Sequence, residues 1–217
     1  MQREQRARDR KREDHVEQKA PFVFLGENLA LDLANTIVPV RGGKTRDVLL
    51  TPHDVASWWS QAQAHYQETI PVETLPSCNQ ETLEALKCLR TALRHLFEAI
   101  ARQHPLKETD LEGFNGLLQG AYPMVKLTGE GKPQPDYQIR KEEHPILLVV
   151  ALAVFRLLTQ YDLTRLRACQ NAVCPLFFYD STKSATKHWC SVSCKERARS
   201  VIRQRRGSVI ETVPKDK

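Results

Sequence analysis

The chain has 217 residues, 41% hydrophobic and 27% charged, with a net charge of +6 and a sequence pI of about 9.1. This size suits one fair-sized buried core plus a small module, and the balance lies within the range of soluble proteins. The longest apolar run, Pro145 to Phe155, falls short of the ~18 residues of a membrane span, and the charged start lacks the apolar region of a secretory signal. A cytoplasmic protein without a membrane partner is expected.

The charge is uneven: +2 over residues 1–20, −3 over 21–160 and +7 over 161–217. Residues 1–20 are polar almost throughout and read as a charged flexible arm. Pro21 to Leu25 is a short apolar lead-in or strand. Glu27 to Thr36, with Leu29, Leu31 and Leu33 among alanines, predicts a helix on which Asp32 and Asn35 share a face. With Arg41 they are candidates for a small-molecule pocket. The favoured alternative is that they hydrogen-bond the backbone of the loop that follows, because no third catalytic partner lies close in sequence. Arg41-Gly42-Gly43-Lys44-Thr45 invites comparison with a phosphate loop, but position 38 is Val where that pattern needs Gly. It reads as a mobile basic loop.

Thr51-Pro52-His53-Asp54 is a helix start, with an N-cap Thr, Pro at the first turn and an acid three residues on. That helix runs to about Tyr66, with Val55, Trp58, Trp59 and Ala62 inward. Ile70 to Cys78 reads as a linker. Asn79 caps a helix over about Gln80 to Gln103, whose stripe is Leu83, Leu86, Leu89, Leu93, Leu96, Phe97 and Ile100. Thr109 to Gln119 predicts another helix, with Leu111, Phe114, Leu117 and Leu118 inward. Tyr122 to Thr128 and Asp136 to Arg140 flank a Gly-Pro turn and predict a β-hairpin. His144-Pro145 opens a nearly all-apolar helix to about Gln160, the expected central buried element. Cys78 and Cys88 read as a linker thiol and a small packing residue.

The strongest pattern is C-x4-C-x15-C-x3-C, formed by Cys169, Cys174, Cys190 and Cys194. Two close pairs on either side of a hairpin-length insert are the grammar of a structural zinc site, closed by four thiolates. Leu176 to Tyr179 predicts a strand, Asp180 to Thr186 a return loop and Lys187 to Trp189 a second strand. Ser193 and Glu196 have capping-box spacing, predicting a helix from about Cys194 to a stop at Gly207. Ala198, Val201 and Ile202 would pack on the aromatic strand. Lys195, Arg199, Arg203 and Arg206 would form an outward basic face, with Lys187, His188, Arg197 and Arg205 as lesser candidates. Lys183 to Arg206 holds eight cations and one acid. Offsetting a zinc tetrathiolate accounts for part of that charge. The rest reads as a phosphate-binding stripe for double-stranded DNA.

The tract from Cys169, with Cys-Pro-Leu-Phe-Phe-Tyr-Asp-Ser and then Trp189-Cys190-Ser191 ahead of Cys194 and an Arg-rich run, resembles the CGNR-type zinc finger of bacterial regulators. That finger follows a domain called ABATE, whose opening is similar to Leu31-Asp32-Leu33-Ala34-Asn35-Thr36, Arg41-Gly42, Asp47-Val48-Leu49 and Trp58-Trp59 here. The resemblance spans about residues 22 to 206 and implies a stress-response transcription regulator that binds DNA. This chain departs from it in one place: Lys195-Glu196 stands where the family has Gly-Asn between Cys and Arg.

His-Glu-x-x-His, Gly-x-Ser-x-Gly and Gly-x-Gly-x-x-Gly motifs are absent, and no enzymatic activity is expected. The expected fold is mainly α. An arm (1–20) precedes a helical body with a small β-hairpin (21–162), a four-cysteine finger of β-hairpin plus basic helix (163–207) and a tail (208–217). The expected function is DNA-binding transcription control, with zinc as cofactor and the body serving effector sensing or homodimerisation. The alternatives are a zinc-stapled protein-interaction module, and a ligand-binding or enzymatic body with an accessory finger.

Overall fold

A six-residue helix, Leu29–Ala34 (α1), sits where the body and the finger meet, and every one of its residues is buried. A helix apolar but for Asp32 must be enclosed on nearly all sides, with that carboxylate hydrogen-bonded. It is shorter than the expected Glu27 to Thr36 because Asn28 caps it: Asn28 Oδ1 accepts from the Ala30 amide at 2.9 Å, while Nδ2 donates to the Ala153 carbonyl at 3.0 Å. The computed structural model describes residues 22–25, 28–66, 78–127, 129, 133–139 and 145–210, with backbone only over 121–127, 133–139 and 202–210. The expected arm, most of the expected linker and the last residues of the tail lie outside these.

After α1 the chain forms a two-stranded antiparallel ribbon, Ile37–Pro39 (β1) and Thr45–Asp47 (β2), with Val38 opposite Arg46. The expected mobile loop is therefore the 3-10 turn Arg41–Gly43 of a ribbon. Gly42 and Gly43 hold φ of +79° and +74°, the left-handed region that glycine enters at least cost. Strands of three residues carry too little alternation to be read from sequence. Asp47 anchors the ribbon: its carboxylate takes two bonds from the buried Arg90 guanidinium, at 2.7 and 2.5 Å, and Arg90 also donates to the Thr36 hydroxyl at 2.9 Å. Burial alone would raise the Asp47 carboxyl, but the Arg90 pair and the Leu49 amide hold it below its ordinary value.

Pro52–His65 (α2) begins with the predicted reciprocal cap between Thr51 and Asp54, and Val55, Trp58, Trp59 and Ala62 are buried as expected. Gln80–Ala101 (α3), capped by Asn79, buries the whole predicted leucine stripe. The helix expected over Thr109 to Gln119 is instead a 3-10 turn, Glu108–Asp110, followed by Glu112–Leu118 (α4). Two glycines weaken it, and Phe114 alone of its inward set is fully buried. Ala121–Leu127 (β3) and Pro133–Ile139 (β4) form the expected antiparallel hairpin, with Ala121 opposite Ile139. Pro145–Gln160 (α5) is the expected apolar helix, with Ile146 through Leu152 buried.

The finger departs from expectation in its pairing. Phe177–Tyr179 (β6) is a strand, but its partner is Leu166–Ala168 (β5), which precedes the first cysteine; Lys187 to Trp189 forms no strand. The Lys187 amide bonds the Asp180 carboxylate at 2.7 Å rather than a neighbouring strand. The last helix, Val192–Ile210 (α6), starts before Cys194 and runs past Gly207. Its cap is Ser191, whose hydroxyl accepts from the Cys194 amide at 3.2 Å, so the expected Ser193–Glu196 box is not the start. Val201 is 47% exposed, so it does not pack on the aromatic strand as expected.

The β5–β6 ribbon completes the body's core, where Leu166 and Phe177 are buried among its leucines. Asn35 joins the two: its Nδ2 donates to the Phe177 carbonyl and its Oδ1 accepts from the Phe177 amide, both at 2.9 Å. Arg94 adds a second tie, donating to the Ala34 carbonyl at 2.8 Å and the Pro175 carbonyl at 3.0 Å, with its guanidinium 5.1 Å from the Phe177 ring centre. Asp32 holds the lead-in, accepting from the Leu25 amide at 3.0 Å and from the Tyr66 hydroxyl. In that lead-in Phe22 and Phe24 pack on the body core while Val23 and Leu25 pack on the cysteine cluster. Asn35→Ala leaves a buried amide and a buried carbonyl of Phe177 without partners. It should destabilise the chain by about 3 kcal/mol, read as a lower denaturant midpoint; an unchanged midpoint would mean that the joint carries no weight.

Candidate metal centre and basic face

Local structure aims the four thiols at one point. The Cys169 amide donates to the Leu176 carbonyl at 2.9 Å and the Cys174 amide to the Asn171 carbonyl at 2.8 Å, closing the first knuckle. The second pair straddles the start of α6, with Cys190 just before the Ser191 cap and Cys194 in the first turn. All four Sγ atoms lie within 4.8 Å of one another, and two of the separations are 3.8 Å (Cys174–Cys190) and 3.6 Å (Cys190–Cys194). Zinc–sulfur bonds of about 2.3 Å make the edge of a regular tetrahedron about 3.8 Å, so the donor set fits a zinc ion held by sulfur alone. None of the six cysteines is in a disulfide.

The thiols disturb one another strongly. Hydrogen bonds from Cys174 and Cys190 push the Cys169 thiol down to about 2. The bond to Cys169 pushes Cys174 far up, and pushes Cys190 up to about 12. Four thiols this close compete for protons, and a divalent cation bound by deprotonated sulfurs relieves that competition.

Around the cluster several cations face inward. The Arg197 guanidinium donates to Cys194 Sγ at 3.5 Å and to the Ser193 carbonyl at 3.3 Å. Lys187 Nζ lies 5.1 Å from the centre of the Phe178 ring. Arg165 donates to the Asp180 and Thr182 carbonyls at 3.0 and 2.9 Å, and Arg167 to the Ala185 carbonyl at 2.7 Å. His188 is half-buried and its Nδ1 has no hydrogen-bond partner among the described residues. The return loop closes on the buried Asp180, which accepts from the Thr182 hydroxyl at 2.5 Å, the Thr182 amide at 3.1 Å and the Lys187 amide at 2.7 Å. Burial would raise the Asp180 carboxyl, yet these bonds and the nearby Arg167 charge hold it below its ordinary range. Sequence reading missed the roles of Asp180, Arg165 and Arg167; the signal on offer was an acid opening a Ser/Thr-rich loop about 13 residues after two arginines.

Of the expected phosphate contacts, Arg199 is exposed and Lys195 half-buried, and neither side chain bonds a described residue. Positions 203, 205 and 206 continue α6. Asp32 and Asn35 are buried, and the expectation that they bond the following loop is corrected: Asp32 accepts from the preceding Leu25 amide and the Tyr66 hydroxyl, and Asn35 bonds the Phe177 backbone, whereas Arg41 is exposed on the β1–β2 turn.

A helical body completed by a ribbon whose knuckles gather four thiols defines a zinc-finger protein. The family model "ABATE: Putative stress-induced transcription regulator" matches residues 27–161, and the CGNR zinc finger model matches 165–206. The chain belongs to the ABATE family and carries a CGNR zinc finger. No match was found among curated proteins. Among the described residues no helix is long and apolar enough to cross a membrane.

The purified chain should carry one zinc ion. Cys88, expected to pack as a small apolar residue, is instead exposed and should react first with a thiol reagent. Cys78, whose thiol is pushed up by burial, should follow, and the other four should react only after chelation. Protons and metal compete for the sulfurs, so zinc is retained as pH rises and released as it falls; release on raising the pH would contradict the assignment. Arg197→Met should weaken zinc binding about 10-fold or more, since groups bonded to a ligand atom orient it and balance its charge. Competition with a chromogenic chelator measures this, and unchanged affinity would return Arg197 to the list of free cations.

Proposed function

We propose that this protein regulates transcription by binding double-stranded DNA through the outward face of α6, acting in the cytoplasm. The carrying observation is a helix whose start is flanked by Cys190 and Cys194 of the four-thiol cluster, with Lys195 half-buried and Arg199 exposed along it. Positions 195, 199, 203 and 206 recur at the helical period and fall on one side of the helix. The metal sets the helix's direction and supplies no chemistry beyond holding four sulfurs. Arg199 leads the phosphate contacts, with Lys195, Arg203, Arg205 and Arg206 beside it. Lys187, His188 and Arg197 move to supporting roles, since the first and last are engaged within the finger. The body senses an effector or joins two copies, and no catalytic step is assigned to it.

Full-length, zinc-loaded protein titrated with mixed-sequence duplex DNA should bind with log affinity falling linearly in log salt. Arg199→Ala should weaken binding alike on all sequences and make the slope shallower by about 0.9. Absence of binding at low salt would favour an acidic protein partner for the same face.

A further inference from the structure

The body is mildly acidic, yet one of its turns runs against that balance. From Ile37 to Arg46 there are three cations and no acid. The next residue, Asp47, has its carboxylate bound by Arg90 and is not available to neutralise them. Arg41 and Lys44 are both exposed, and neither side chain bonds a described residue.

The position of this turn gives the charge its meaning. Gly43 lies against the first knuckle of the finger: a Cβ added there would sit 3.2 Å from Val173 Cγ1. Glycine at φ +74° therefore answers two demands, the reversal of the ribbon and a close approach to the finger. Val173 is itself 42% exposed, so the turn and the knuckle share a stretch of surface. On its other side the knuckle reaches α6. The Val173 amide donates to Asn171 Oδ1, and Asn171 Nδ2 donates to the Cys194 carbonyl, both at 3.4 Å. A short chain of contacts thus links the Arg41–Lys44 turn to the first turn of the basic helix.

Resting on the DNA-binding reading above, we infer that Arg41 and Lys44 form a second phosphate-contacting element of the same face, seated beside the finger by the contact of Gly43 with Val173. A duplex laid along α6 presents closely spaced phosphates beyond the helix's end. Two unpaired cations on a turn braced against the knuckle meet them without losing a competing ion pair. A small-molecule role for Arg41 has less support, because its expected partners Asp32 and Asn35 are already bonded inside the protein.

The test compares wild type, Arg41→Ala/Lys44→Ala and Arg199→Ala, each full-length and zinc-loaded, on one fluorescent duplex of mixed sequence across a salt series. Two lost phosphate contacts should make the salt slope of the double variant shallower by about 1.8, with zinc content and thermal midpoint unchanged because both side chains are exposed. A single Lys44→Gln change should give about half that slope difference. If Arg199→Ala weakens binding while the double variant matches wild type, the turn takes no part and the inference is overturned, with the function standing. If wild type does not bind the duplex at low salt, the function and the inference fall together.

Discussion

The amide of Asn35 presents one donor and one acceptor to the Phe177 backbone, as a neighbouring strand would. β6 has β5 on one side; on its other edge a strand of three residues would leave backbone groups buried and unpaired. A single side chain from α1 satisfies them, and the finger's ribbon thereby becomes the wall of the body's core. The Phe177 ring then meets Phe97 edge-on, at 5.9 Å between centres, under the Arg94 guanidinium. The fully buried position of Asn35, 142 residues from its partner in sequence, follows from that one pairing.

The same fact separates what could be read in the sequence from what could not. The four cysteines were legible because metal-ligand spacing is a local pattern, and the caps at Thr51 and Asn79 were legible because their partners lie three residues away. The long helices were legible from their periodicity. Asn35 and Asp32 could be recognised only as polar residues in an apolar helix, since their partners come from other elements. The aromatic strand was legible, but its partner was not: Leu166–Ala168 and Lys187 to Trp189 were equally short, and the choice depends on Asp180 turning the later segment toward its own carboxylate. The start of α6 was misplaced because Ser191 and Ser193 both suit a cap, and the Cys194 amide bonds the Ser191 hydroxyl.

Charge gives a parallel lesson. The finger segment carries +7, but Arg165, Arg167, Lys187 and Arg197 bind carbonyls, an aromatic ring or a sulfur inside it. Counting cations therefore overstates the surface available to a polyanion, and exposure together with freedom from internal partners is the better guide. By that criterion Arg199 is an exposed cation on α6 without a bond to a described residue, and so are Arg41 and Lys44 on the body, which a segment-by-segment charge count assigns to the acidic part.

Alternation along one short strand couples the metal to the rest of the fold. Successive strand residues face opposite sides: Phe177 is buried in the body's core while Phe178 is buried beside Cys169, Cys190 and Cys194. The lead-in repeats the device, with Phe22 and Phe24 on one side and Val23 and Leu25 on the other. Two cores thus share walls only one backbone thick. A metal that fixes the cysteines fixes the seat of Phe178, and through the next peptide bond the seat of Phe177. Because the free energy of filling such a site is free energy of folding, zinc here stabilises the core behind the finger as well as the helix that leaves it.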